Sequence, residues 1–468
     1  MIQRSRQKGA ALLLMMLVIL VALTAVLVGR LNAINPDAAR TVETSAALAE
    51  AKSALLAWAS TLPDRVPGRP VRLPCPDLDG GGGFADGEAH ATACGARGEN
   101  MLGRLPWKTL GLEALADGSG ACLWYAVSGD YKDADAASAE LLNPDSAGSF
   151  EMYDASSGAL LAGATAEDRP VAILLAPGST VAGQARAAAV DQGCSPSFNA
   201  ADFLDDAGAI GVDNASVAGI ADVIDRFASD AIADGSHNDR LLVIRQSEVA
   251  ALVTERHDYD ARIDTLGLAV AECVANYARQ NIGGANDLRL PWPAPLTLAD
   301  YRLGLNYSDD STNLSGRLPD VVDDSALTIG NPLPTVLTSC DPAVVPTWTT
   351  AVQGDWRNLK DHFFYLVSAD FAPSASVPTG CGDCISVNGA GSYAAVVMFA
   401  GAALDLQSRT MPPLDADTRG DVLNYLEGAN PLVFPTVAGA PDLESRPVAP
   451  DFNDRLFCIA SDLSVSGC

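Results

Sequence analysis

Ala10 to Val28 is an unbroken apolar run of nineteen residues without a charge, and no other stretch constrains the chain as much. At about 1.5 Å per residue, a helix of that length just spans a hydrocarbon core of about 30 Å. The leader before it is short and basic, with Arg4, Arg6 and Lys8 and no acid. Basic residues on the short side favour an N-terminus kept in the cytoplasm and a remainder sent across. The expectation is a single-pass inner-membrane protein, held through residues 10–28, with its N-terminus cytoplasmic and its bulk periplasmic. Gly29-Arg30 is a poor small-residue cleavage site, which disfavours a removed secretory signal.

The chain has 468 residues, enough for two or three domains. Thirty basic residues against 58 acidic ones give a net charge of −28, which opposes nucleic acid as a partner. All ten cysteines lie beyond the apolar run. An even count in an oxidising compartment favours disulfides. Near neighbours suggest Cys75–Cys94, Cys122–Cys194, Cys273–Cys340, Cys381–Cys384 and Cys458–Cys468, although spacing alone does not fix connectivity.

Lys8-Gly9-Ala10 followed by the apolar run resembles the prepilin leader of type IV minor pilins and type II secretion pseudopilins. The resemblance covers roughly the first sixty residues. It implies that a prepilin peptidase cuts between Gly9 and Ala10. Leu14 then stands at the fifth mature position, where major pilins carry a glutamate used in filament packing. In lacking that glutamate the chain resembles the K pseudopilin, thought to sit at the tip. A plain signal anchor is the other reading of the same residues.

Beyond the apolar run the chain runs one programme twice. Helical stretches at Leu48–Ser60 and Leu268–Gln280 are followed by Arg-Leu-Pro-x-Pro at Arg72–Pro76 and Arg289–Pro293. Gly-Arg-Leu-Pro comes next, at Gly103–Pro106 and Gly316–Pro319. Aromatic strands (Leu123–Tyr131, Phe363–Phe371) and apolar strands (Val171–Gly178, Ala394–Gly401) follow. Phe203-Leu204-Asp205 then matches Tyr425-Leu426-Glu427, and Asn-Asp-Arg-Leu opens a strand at Asn238 and Asn453. Offsets run from 213 (Gly103 to Gly316) to 240 (Leu123 to Phe363), as loop insertions would make them.

The predicted fold is α+β: a long N-terminal transmembrane, pilin-like helix, then two duplicated lobes. Each lobe is a helix packed on a small, mostly antiparallel sheet. The predicted boundaries are a leader at 1–9, the membrane and packing helix at 10–62, a first lobe at 63–246 and a second at 247–468. The second lobe's helix is expected over 247–280. Asn35-Pro36 should kink or interrupt the first helix near the membrane surface.

Among candidate sites, Asp77, Asp79, Asp86 and Glu88 flank the glycines at 80–83 and supply oxygens of the kind calcium takes. EF-hand spacing is not met. Cys381-Gly-Asp-Cys384 reads as a tight structural disulfide. Gly in Gly-Arg-Leu-Pro reads as allowing a turn. Asp239-Arg240 and Asp454-Arg455 read as pairs across strand edges. His90, His237, His257 and His362 have no metal-ligand spacing partner and read as surface or turn residues. No G-x-S-x-G elbow, P-loop or H-E-x-x-H is present, so catalysis is not expected. The expected function is a minor pilin or pseudopilin-like structural subunit, initiating or capping a filament and contacting other such subunits. An anchored binding protein outside any filament and an exported hydrolase are the alternatives.

Overall fold

The computed structural model describes residues 36–468 apart from 79–84, 91, 93, 135–140, 187–193, 231–236, 281–288, 323–339, 374–380, 405 and 436–438. Gly9, Ala10, Leu14, Asp79 and the apolar run lie outside the described residues. Among the described residues no helix is long and apolar enough to cross a membrane. That corrects two expectations: a long N-terminal transmembrane helix in the fold, and a single-pass inner-membrane location. The first helix, α1, is Pro36–Arg65. The proline kink or interruption expected at Asn35-Pro36 falls at the edge of the described residues. The first turns of α1 carry Asp37, Arg40, Thr41 and Glu43, too polar for hydrocarbon. Only one stripe is apolar and buried: Ala47, Leu48, Ala51, Leu55, Ala59 and Leu62, at helical three- and four-residue steps.

Seven strands form the two larger sheets of the first lobe: β1 (Met101–Arg104), β2 (Trp124–Val127), β3 (Phe150–Asp154), β4 (Leu160–Ala162), β5 (Pro170–Ala176), β6 (Asp225–Ser229) and β7 (Arg240–Arg245). An antiparallel sheet runs β7-β5-β2-β1. The α1 stripe packs on one face of it, against Tyr125, Val127, Val171, Leu174 and Ile244. A smaller sheet, β6-β3-β4, covers the other face, with Trp124, Ile173, Leu175, Phe150, Phe203 and Phe227 between them. With both faces covered, β5 is buried along its whole length.

The second lobe follows two helices, α2 (Gln246–Thr254) and α3 (Tyr259–Gln280). The helix expected over 247–280 is therefore interrupted at Glu255–Asp258. Val249 of α2 is buried in the first lobe's core, and Glu248 pairs with Lys52 of α1 at 2.7 Å. Helix α2 thus packs with the first lobe's helix and core. After α3 come β8 (Ser315–Arg317), α4 (Thr350–Leu359), β9 (Phe363–Val367), β10 (Ile385–Val387), β11 (Ala390–Phe399), β12 (Asp442–Leu443), β13 (Arg455–Ala460) and β14 (Val465–Gly467). Strands β8, β9, β11 and β13 are neighbours in that order, all antiparallel. Helix α3 lies against β11 and β13, and Val352 and Trp356 of α4 join the same core. Covered on two sides, α3 is apolar over most of its circumference.

Register shows the duplication most directly. In the first lobe Gly103 pairs with Tyr125, Tyr125 with Leu174 and Leu174 with Leu242. In the second Gly316 pairs with Tyr365, Tyr365 with Val397 and Val397 with Phe457. Gly103 and Gly316 lie in strands, not turns, and admit a crossing backbone. A Cβ at Gly316 would lie 2.1 Å from the Ala294 carbonyl oxygen; at Gly103 it would lie 2.6 Å from that of Asp77. The crossing chain cannot withdraw, because Ala294 and Arg317 exchange backbone hydrogen bonds of 2.8 and 2.9 Å. Gly316→Ala is expected to destabilise the chain by about 3 kcal/mol, at the upper end for overpacking, read as a lowered urea midpoint.

The cysteines form Cys75–Cys94, Cys122–Cys194, Cys273–Cys340, Cys381–Cys384 and Cys458–Cys468. Cys381–Cys384 sits just before β10, where Asp370 accepts from the Gly382 and Asp383 N–H groups. Five disulfides suit an exported protein.

Candidate functional site

Each lobe closes one end of its sheet with the same buried polar cluster. Gln184 and Arg186 stand six and eight residues after Gly178; Gln407 and Arg409 stand six and eight after Gly401. Arg186 Nη1 donates to the Gly178 carbonyl and Nη2 to Gln184 Oε1, both at 2.6 Å. Arg409 repeats this on Gly401 and Gln407, at 2.8 and 3.0 Å. Each glutamine then donates to an acid, Gln184 to Asp205 at 2.8 Å and Gln407 to Glu427 at 2.9 Å.

Those acids meet a second acid. Asp205 N–H donates to Asp239 Oδ2 at 2.8 Å, and Asp239 N–H returns a bond to Asp205 Oδ2 at 2.9 Å. Asn214 donates to Asp239, also at 2.8 Å. In the second lobe Glu427 N–H and Asn430 donate to Asp454 Oδ2 at 3.0 and 2.8 Å. Two buried carboxylates this close do not both ionise. Burial, then the neighbouring Asp205, push the Asp239 carboxyl well above its ordinary value. Burial and then Glu427 push Asp454 up to about 8. Asp239 and Asp454 do not make the expected strand-edge pairs with Arg240 and Arg455. Arg455 reaches Asp260 and Asp264 on α3.

The lobes differ at the residue before the shared Asn-Asp-Arg-Leu: His237 in the first, Phe452 in the second. His237 Nδ1 lies 3.9 Å from Asp205 Oδ2 and 3.5 Å from Asp230 Oδ2. One ligand atom each from Asp205, His237 and Asp239 lie within 4.8 Å of one another, and all three residues are buried. Asp239 Oδ1 is buried with no hydrogen-bond partner. This group can hold a metal ion.

The calcium loop read from sequence looks different. Asp77 is buried; its Oδ2 accepts from Gly87 N–H at 2.7 Å, and His90 Nε2 lies 4.0 Å from its Oδ1. Burial pushes the Asp77 carboxyl up to about 6. Glu88 accepts from Ala85 N–H at 3.1 Å, and Asp86 is exposed. Leu14, Gly9, Ala10 and Asp79 are outside the described residues.

A third cluster joins the lobes. Residues 141–146 of the first lobe insert against the second. Leu142 N–H donates to Asn358 Oδ1 at 3.0 Å, and Asn143 Nδ2 donates to Asp361 at 2.8 Å. Asp145 Oδ2 lies 2.9 Å from His362 Nε2 and 3.1 Å from Arg409 Nη1. Arg419 pairs with Asp361 beside it. Burial works against the Asp145 carboxylate, but Arg409 and His362 overcome it and hold the carboxyl well below the usual range. Arg169 clamps Asp415 with two bonds of 2.7 Å, and Arg302 takes Asp222 at 2.6 Å. A cleft of about 330 Å³ runs between these pairs.

His90, His237 and His362 are thus buried beside aspartates, while His257 is exposed. Reading them as surface or turn residues fails for three of four, because their partners are distant in sequence. No family model, curated protein or solved structure matches the chain.

Proposed function

We propose that this chain is a structural subunit of the minor pilin or pseudopilin kind, which initiates or caps a filament and presents a double head to partner subunits. The observation that carries the reading is the repeated lobe: one amphipathic helix on an antiparallel sheet, built twice in one register. A pilin head is built on that plan. The leader resemblance at Lys8-Gly9-Ala10 supports it from sequence. The five disulfides are in keeping with work outside the cytoplasm. Of the acids that line the cleft, Asp145, Asp222 and Asp415 are each held by a cation, Asp130 lies 3.7 Å from Arg97, and Glu167 accepts from the Ser408 hydroxyl. Gly9→Ala tests the assembly role: the variant is expected to stay unprocessed and to stop co-purifying with other short-leader subunits. Undiminished co-purification would count against it.

The cation that suits Asp205, His237 and Asp239 is a transition ion such as zinc. An imidazole among carboxylates matches zinc, whereas calcium wants six to eight oxygens. Asp79 and the glycines at 80–83 lie outside the described residues, so calcium at the Asp77 loop is not part of this proposal. Metal-free protein is expected to take up one equivalent of zinc by calorimetry, with proton release as Asp239 ionises. His237→Phe installs the second lobe's residue. It should weaken uptake by more than about tenfold, since losing even an outer-shell partner does that much. Equal uptake by the variant would exclude the site.

A further inference from the structure

The second lobe's Arg409 holds a carboxylate delivered by the other lobe, Asp145 at 3.1 Å. Its counterpart Arg186 makes the same carbonyl and glutamine contacts but, among the described residues, has no carboxylate within ion-pair distance. Among the described residues, none fills the space where one would sit. A pocket of about 320 Å³ is lined there by Arg104, Arg186, Ser179, Thr180, Trp124 and Phe203. The surrounding positions correspond one by one. Arg104 donates to the Ser197 carbonyl as Arg317 donates to that of Arg419. Arg104 stacks near Trp124 and Phe203 as Arg317 stacks near Phe364 and Tyr425. Ser179 and Thr180 follow Gly178 as Ala402 and Ala403 follow Gly401. The stretch at Ala121-Cys122 matches Asp361-His362, which receives the 141–146 loop.

The pocket also has the charge for such a guest. Arg104 is 3 % exposed; among the described residues it has no carboxylate within ion-pair distance, and its buried Nε lacks a hydrogen-bond partner. Asp117, Asp205 and Asp239 lie within electrostatic reach of Arg186 without forming an ion pair with it, and each turns one oxygen to a backbone N–H, of Gly178, Asp239 and Asp205 respectively. A guanidinium out of water gains most from a bidentate or hydroxyl-assisted carboxylate.

We propose that the first lobe's pocket receives an aspartate or glutamate side chain carried on a loop of a partner protein, as the second lobe receives Asp145. The chain would then be joined to its partner through Arg186 by the contact that joins its own lobes through Arg409. This does not depend on the pilin reading: the leader experiment can fail while the pocket binds, and the reverse.

The probe is a capped peptide of residues 141–148, titrated into the full chain up to its solubility limit while tryptophan fluorescence is followed, Trp124 being the tryptophan that lines the pocket. A saturable change is expected, weakened about tenfold or more when the peptide's aspartate is replaced by asparagine or when Arg186→Gln is introduced, since a desolvated charge pair contributes well over 1.4 kcal/mol. Thr180→Asp supplies a carboxylate in place. It should block the peptide and raise the urea midpoint, which guards against misfolding of the Arg186 variant. No saturable change, or binding indifferent to all three substitutions, would overturn the proposal.

Discussion

Asp145→Ala is expected to destabilise the chain by about 3–5 kcal/mol in urea denaturation, the range for removing one partner of a buried ion pair. The substitution leaves Arg409 and Arg419 buried with one carboxylate fewer, and it withdraws the anion beside His362. The same side chain sets a pH dependence. Its carboxyl is held well below the usual range, so the unfolded chain binds the proton more readily than the folded one. Its contribution is therefore present above the unfolded value of about 3.9 and is lost as pH falls towards the folded value. Asp145→Asn should flatten that acid limb. Asp454 has the opposite sign: its carboxyl is raised to about 8, so it contributes most below about 4 and loses that contribution as pH climbs to about 8. Asp454→Asn, in contrast to Asp145→Asn, should flatten the limb between those two pH values.

Removing Cys122–Cys194 by a double serine substitution is expected to cost about 4 kcal/mol, because it frees a loop of 72 residues in the unfolded chain. That loop spans β2 to β5, the first lobe's two central strands included. Both cysteines also line the Arg186 pocket, so the variant should lose peptide binding along with stability. Serine substitution of Cys381–Cys384 closes a far shorter loop, with a sequence separation of 3, and should shift the midpoint much less.

The duplication was legible because short signals kept their order: Gly-Arg-Leu-Pro, the aromatic strands and Asn-Asp-Arg-Leu recur where loops differ in length. Glycine in the first of these was visible but misread, since a backbone crossing a strand leaves no mark beyond the missing side chain. Gln-x-Arg after Gly178 and Gly401 was also present in the letters. It passed unnoticed because two polar residues signal nothing until their carbonyl partners are known. The Asp145 loop was beyond reach: Asp145 meets His362 across more than two hundred residues of chain. The apolar run at 10–28 outweighed Pro36 in the sequence reading. The helix that follows is set by proline at its start and a narrow alanine and leucine stripe, which the polar first turns already announced.

The central claim, a pilin-like subunit, is tested most directly by mass spectrometry of the N-terminal residue, in cells with and without an active prepilin peptidase. The account predicts a mature start at Ala10 that depends on the peptidase. A start at Met1 in both backgrounds would contradict it and leave a binding protein outside any filament.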